Sequence, residues 1–155
     1  MQSENKKEVA AIENGTTIDH IPPKQLFKVA HLLELELIEN STVIIGNNFS
    51  SRKMGRKGMI KIEDRHFSEN EISRIALVAP NAVLNKITAY KVAGKYNVRD
   101  FLPNRVSGLV KCNNPRCITN NEPMSTRFNV VDKEKCLLQC CYCERKINHD
   151  DIIIL

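Results

Sequence analysis

Cys112-Asn113-Asn114-Pro115-Arg116-Cys117 is followed, after 22 residues, by Cys140-Cys141-Tyr142-Cys143. Two tight cysteine pairs at this separation are what a four-thiolate metal site requires. Each turn gives two sulfurs, and the intervening hairpin brings the turns together around a tetrahedral ion. The spacing predicts a structural Zn2+ site on Cys112, Cys117, Cys140 and Cys143. Cys136 and Cys141 are left over, and Cys136-x4-Cys141 is an alternative second pair. Two intervening residues suit a tight metal turn better, and the adjacent Cys140 and Cys141 point different ways. His149 is near enough to be a ligand, but four sulfurs already fill the coordination shell. Disulfides are the competing reading, and they need an oxidising compartment. The stretch Met1-Gln2-Ser3-Glu4-Asn5-Lys6-Lys7 has no apolar region of the kind a secretion signal carries. No run approaches the roughly 18 apolar residues of a membrane span. A cytoplasmic protein with reduced thiols is expected.

Working outward, residues 101–155 read as a small all-β domain, ending in Asp151-Ile152-Ile153-Ile154-Leu155. A domain of this size needs its metal to fold. Residues 96–106 are polar, contain Pro103, and read as a linker. Residues 1–100 then form the larger domain. Its first eight residues are polar and expected to fray. Thr16 to Ile21 reads as a strand, stopped by Pro22-Pro23. Leu26, Val29, Ala30 and Leu33 recur at helical spacing over residues 24–35. Thr42 to Gly46 reads as a second strand, apolar enough to be central, and Asn47 to Arg56 as a basic loop. Gly58 to Ile62 alternates as a third strand. Ser68 and Glu71 make a capping box flanked by Phe67 and Ile72, and Ile72, Ile75, Ala76 and Ala79 give the helix one apolar face. Ala82 to Lys95 reads as one long strand or a pair. The order β-α-β-β-α-β predicts an α+β chain with a ferredoxin-like N-terminal domain.

The chain carries 23 Lys and Arg against 18 Asp and Glu, a net charge of +5. Residues 1–100 contribute 15 against 12 and residues 101–155 contribute 8 against 6. Four thiolates and one Zn2+ add −2, so the metal-bound C-terminal part is near neutral. A zinc-ribbon nucleic-acid binder, the alternative function for such a module, should be clearly basic and richer in aromatics. Catalytic signatures are absent too: there is no Ser/His/Asp motif, Gly-rich dinucleotide fingerprint or His-Glu-x-x-His. A closed four-sulfur site has no open position for chemistry. The N-terminal domain does hold polar groups on strand-like segments: Asp19, His20, Lys61, Asn85 and Lys95. A carboxylate suits a ribose hydroxyl pair, and Lys or His suits phosphate oxygens. Arg52, Lys53, Arg56 and Lys57 make a basic loop without a P-loop pattern.

Nearly the whole chain resembles the regulatory chains of aspartate carbamoyltransferase. The resemblance is carried by Val9–Ile12, Gly15–Pro22 (Gly-Thr-Thr-Ile-Asp-His-Ile-Pro), Met54–Lys57, Ile60–Glu63, Ala79-Pro80, Asn85–Ile87, Tyr90–Val92, Gly94-Lys95 and the cysteine pattern. It implies a non-catalytic subunit with an N-terminal allosteric domain and a C-terminal zinc domain. It implies one Zn2+ per chain, a homodimer formed through the N-terminal domain, and docking of the zinc domain on a catalytic chain in an assembly with six of each. CTP and UTP as inhibitors and ATP as activator are the implied effectors, with neither nucleic acid nor membrane as partner. Matched residue by residue, Asp19 falls on the ribose contact, His20 and Lys95 on phosphate contacts, and Lys61 on a contact to base and ribose. Ala11, Ile12, Ile87, Tyr90 and Val92 match the pocket around the base, and Asn85 lies among them. Lys57 and Lys6 match positions near the triphosphate or a second nucleotide. Strict alternation would not put Ile87 and Tyr90 on one face, which predicts a bulge near Thr88-Ala89. Asp19 and His20 raise the same problem, so β1 should end or twist there. The residues after Lys95 match the family poorly.

Overall fold

The computed structural model describes residues 10–155, so Lys6, Val9 and the expected frayed start lie outside the described residues. Its elements are β1 (Gly15–Ile21), α1 (Leu26–Leu32), β2 (Val43–Ser51), β3 (Gly55–Glu63), α2 (Glu69–Val78), β4 (Val83–Thr88) and β5 (Lys91–Asn97). After them come β6 (Arg105–Ser107), β7 (Val110–Lys111), β8 (Arg127–Asp132), β9 (Leu137–Cys140), β10 (Lys146–Ile147) and β11 (Ile153–Ile154). Contacts divide the chain into two compact units. One holds the residues up to Ser68 with Asn81–Asn97; the other holds Glu69–Pro80, and therefore α2, with Val98–Leu155.

In the first unit five antiparallel strands stand in the order β2-β3-β1-β4-β5. The chain passes from β1 through α1 to β2, and from β3 through α2 to β4, each crossover straddling one strand. This is the interleaved connectivity of the ferredoxin-like unit. Alternation sends Ile18, Ile60, Ile62 and Leu84 to one face, where they are buried with Leu26 and Val29 of α1. Burying each such side chain contributes about 1.5–3 kcal/mol. Gly15 opens β1 between Glu63 and Ile87. Its φ is +139°, and a Cβ there would lie 2.1 Å from the Ile62 carbonyl oxygen. No other residue fits that position.

Several sequence expectations change. β2 is an edge strand, not a central one, and it continues through Asn47–Ser51, which reads as loop. Solvent on its free side tolerates polar residues that a central strand would not. The turn is only Arg52–Met54, and Gly55, at φ +80°, already opens β3. The helix after Pro23 is shorter than its apolar stripe: a 3-10 turn precedes α1 and another, Leu35–Leu37, follows it, entered through Glu34 in the left-handed conformation. Leu26, Val29, Ala30 and Leu33 are nonetheless buried.

The expected bulge is displaced. Thr88 pairs with Lys91, so Ala89 and Tyr90, at φ 50° and 65°, form a two-residue turn, and the register shift falls between Lys86 and Ile87. Lys86 faces Gly94 and Ile87 faces Val92, which leaves Ala93 as the extra residue. In β1 the register against β3 shifts between Ile18 and Ile21, and His20 has φ 61°. This is the irregularity that the Asp19/His20 parity demands.

The second unit contains a four-stranded sheet in the order β10-β9-β8-β6 and a two-stranded one, β11-β7. Phe128, Leu138, Ile147, Val110 and Ile152 are among its buried residues, with Ile75, Leu77 and Val78 of α2. Residues 96–106 are not a free linker. Val98 opens a 3-10 turn to Phe101, and Val98 and Leu102 are 0% and 1% exposed. Two apolar anchors in a polar run are invisible to a composition window.

Candidate functional site

The second unit brings Cys112, Cys117, Cys140 and Cys143 together, with all four sulfurs within 4.8 Å of one another. Cys112 Sγ lies 3.6 Å from Cys143 Sγ, and Cys117 Sγ lies 3.7 Å from Cys140 Sγ. A tetrahedral ion with metal–sulfur bonds of about 2.3 Å would separate its sulfurs by about 3.8 Å. The cradle therefore fits such an ion. Cys112, Cys117 and Cys140 are each 1% exposed. Local turns set the spacing. Cys117 N–H donates to the Asn114 carbonyl, and the Asn114 side chain accepts from Arg116 N–H. On the other side Glu144 N–H donates to the Cys140 carbonyl, with Glu144 at φ 65°.

Burial pushes the Cys112 thiol up to about 12 and also raises Cys140. Burial pushes Cys143 up as well, but hydrogen bonds from the Asn114 side chain, the Arg145 backbone and the neighbouring thiols bring it down to about 7. Four clustered thiolates repel one another, and a divalent cation supplies the charge that lets all of them ionise. Cys136 stands apart. It is fully buried at φ 48°, its Sγ is 3.9 Å from the Leu77 carbonyl, and burial pushes its thiol up to about 12. Cys141 is half-buried. His149 turns to the Lys135 carbonyl, 3.2 Å away, and to Asp150. Two amides outside the cysteine pattern brace the turns: Asn120 Nδ2 donates to the carbonyls of Cys112 and Asn114, and Asn121 Nδ2 to those of Pro115 and Cys117. Thr119 Oγ1 lies 3.2 Å from Cys117 Sγ. The run Ile118-Thr119-Asn120-Asn121 carries that signal in its side-chain donors.

The sheet unit gathers the other nominated residues. Register puts Thr17 opposite both Lys61 and Asn85, and Asn85 opposite Lys95. These positions alternate with the buried Ile18, Ile60 and Leu84, so they share the face turned away from the apolar core. Ala93, as the extra residue, returns Val92 to the face of Lys95 beside Ile87. Asn85 Nδ2 donates to Thr17 Oγ1 at 3.2 Å, and Lys61 Nζ to the Ala10 carbonyl at 2.9 Å. Lys57 Nζ is 3.0 Å from each oxygen of Asp19, with side chains 19% and 22% exposed, so this pair is better sheltered than an open surface bridge. Asp19 Oδ1 also accepts the His20 N–H at 2.6 Å. His20 Nδ1 is buried without a hydrogen-bond partner among the described residues, 3.8 Å from Asp19 Oδ2. Lys95 is exposed. Ile12 is buried and Ala11 exposed. Tyr90 stands at the turn, 65% exposed, rather than within the strand face. Thr17, Asn14 and the Ala10 carbonyl were not foreseen.

Comparison with known proteins covers both units. Residues 7–99 match the family "aspartate carbamoyltransferase regulatory chain, allosteric domain", and residues 104–153 match "aspartate carbamoyltransferase regulatory chain, metal binding domain". A protein of Parabacteroides distasonis named aspartate carbamoyltransferase regulatory chain is 64% identical over 156 residues, covering 99% of both chains. Proteins of the same name are 56% identical in Porphyromonas gingivalis, over 95% of each chain, and 43% identical in Thermococcus kodakarensis, over 96% of each.

Proposed function

The chain belongs to the aspartate carbamoyltransferase regulatory chains, and from that premise we propose that it binds nucleotide effectors on the polar face of its sheet and passes their influence to a catalytic chain through a zinc-dependent C-terminal domain. It is a regulatory and not a catalytic chain, and its setting is pyrimidine biosynthesis. The proposed division is residues 1–100 for effectors and residues 101–155 for zinc and docking. The observation that carries the effector reading is the convergence of Asp19, Lys61, Asn85 and Lys95 on one face, with Ile87 and Val92 beside them. In this reading Asp19 takes the ribose hydroxyls, His20 and Lys95 take phosphate oxygens, Lys61 reaches base and ribose, and Lys57 lies near the triphosphate or a second nucleotide. Ala11, Ile12, Ile87, Tyr90 and Val92 enclose the base.

CTP and UTP are the proposed inhibitors and ATP the proposed activator. Ribose and triphosphate are common to all three, so the base end of the pocket must make the difference between the two quaternary states. Such coupling is commonly about 1–3 kcal/mol. Zn2+, one per chain, is the proposed metal, supported by four thiolate donors at tetrahedral spacing. Zinc acts indirectly, by holding the docking surface folded. A homodimer through the N-terminal domain is supported by a hollow of about 310 Å³ lined by Phe27, Ala30, Leu35, Val43 and Ile45 together with His31 and Glu36. Phe27 there is 69% exposed, an apolar surface of the kind a second copy would cover. The setting of the assembly is the cytoplasm. Membership in this family leaves the nucleic-acid alternative without support.

Calorimetric titration of CTP and then ATP into the zinc-loaded chain assembled with its catalytic chain tests the proposal. Saturable binding at about one nucleotide per regulatory chain is expected. No binding at millimolar nucleotide to the assembled complex would overturn it.

A further inference from the structure

Asn14 makes hydrogen bonds on both sides of β1. Its side-chain Oδ1 accepts the Ala89 N–H at 3.2 Å, and its carbonyl accepts the Asp64 N–H at 3.0 Å. The preceding Glu13 carbonyl accepts the Tyr90 N–H at 2.9 Å. Three of the groups held here, Asp64, Ala89 and Tyr90, are non-glycine residues in the left-handed region, at φ 54°, 50° and 65°. Side chains with a Cβ disfavour that region, and the two-residue hairpin turn at 89–90 lacks the Asn-Gly pair that favours it. The turn therefore depends on acceptors from outside the hairpin. Residues 13 and 14 supply them. The same segment continues backward to Ile12, which is buried, and to Ala10, whose carbonyl receives Lys61 Nζ.

We infer that Asn14 is a positioning residue: it fixes the Ala89-Tyr90 turn and the Ala10–Ile12 segment relative to each other, and so sets the shape of the base end of the effector pocket. The inference rests on the nucleotide reading above and deepens it. Among the described residues Asn14 is hydrogen-bonded to Ala89 and Asp64 and not to His20, Lys57 or Lys95, so its effect is assigned to the base end of the pocket. One lost hydrogen bond of this kind corresponds to about a three- to tenfold change in affinity.

The test uses the full chain, metal-loaded and assembled with its catalytic chain, titrated with CTP, ATP and inorganic tripolyphosphate. Amide exchange at Ala89 and Tyr90 is followed without nucleotide. Asn14→Ala is expected to weaken CTP and ATP about three- to tenfold, to leave tripolyphosphate unchanged, and to speed exchange at Ala89. Asn14→Asp retains the acceptor oxygen and is expected to bind like the parent. Ala89→Gly in the Asn14→Ala background relieves the turn and is expected to recover affinity. Equal weakening of nucleotide and tripolyphosphate would overturn the inference, because the defect would then be general. Unchanged nucleotide binding in Asn14→Ala would overturn it alone. A parent assembly that binds tripolyphosphate but no nucleotide would remove the nucleotide reading and the inference with it, a result distinct from failure of the variant.

Discussion

The two units assemble their functional groups in opposite ways. The metal unit gathers four thiols from two short turns, residues 112–117 and 140–143, and each turn is closed by its own backbone hydrogen bonds. The sheet unit spreads its polar groups over β1, β3, β4 and β5, and no two neighbouring strands suffice. A local site is fixed by a few residues and fails as a whole when one is lost. A distributed site is fixed by strand register and loses one contact at a time. The first suits a structural anchor, the second a surface whose response can be graded.

Removing the metal should give the largest effect and breaks the comparison most directly. Structural zinc contributes about 10–16 kcal/mol in small modules, comparable to the whole stability of a domain. Chelation, or Cys117→Ser, is expected to abolish amide protection in β8 and β9, to leave β1 and β3 protected, and to prevent assembly with the catalytic chain. Retained protection in β8 and β9 after complete metal removal would show that the anchor is not the metal. Next in size is a core deletion in the sheet. Ile60 is 0% exposed, and Ile60→Ala should cost about 2–5 kcal/mol, seen as a lower melting temperature of the sheet unit with metal content unchanged.

Lys95→Ala sharpens the contrast, because it should separate binding from stability. The residue is exposed, so stability should stay within about 0.5 kcal/mol. Loss of a charge-assisted phosphate contact should weaken CTP about tenfold or more in calorimetry. A large fall in stability with unchanged binding would reverse the assignment. The smallest effect concerns the two spare thiols of the metal unit. Cys136, pushed up to about 12 by burial, stays protonated and shielded at pH 8, so iodoacetamide should label Cys141 first, as read by mass spectrometry. The sign of the linkage follows. A thiol raised when folded contributes stability that is present below its ordinary value near 9 and is lost as pH rises toward about 12. Prompt labelling of Cys136 in the folded protein would contradict its burial.

The same contrast decides what the sequence makes legible. The cysteine spacing points to the four thiols that cluster because both turns are local, and the preference for Cys140 over Cys136 comes from the geometry of a two-residue turn. The strand order is legible because Ile18, Ile60, Ile62 and Leu84 alternate cleanly. β2 is harder to read, since Asn47, Asn48 and Ser50 look like loop and owe their strand state to β3 alone. The Ala89-Tyr90 turn carries none of the usual turn residues, and its support comes from Glu13 and Asn14, some 75 residues away. Val98 and Leu102 are apolar anchors whose partners lie elsewhere in the chain. The polar groups of the sheet stand out on strand-like segments, their roles come from resemblance, and only register brings them together.

Gly15 has a consequence for how such a chain drifts. Its position at φ +139°, with the Ile62 carbonyl 2.1 Å from any added Cβ, closes that codon to substitution however the surrounding face varies. Asn14 and Thr16 sit on either side of a site that has no freedom at all. A library randomised over residues 14–17 should therefore return glycine at 15 in nearly every folded clone, with Thr16, buried and bonded to the Arg65 carbonyl, held more tightly than Thr17.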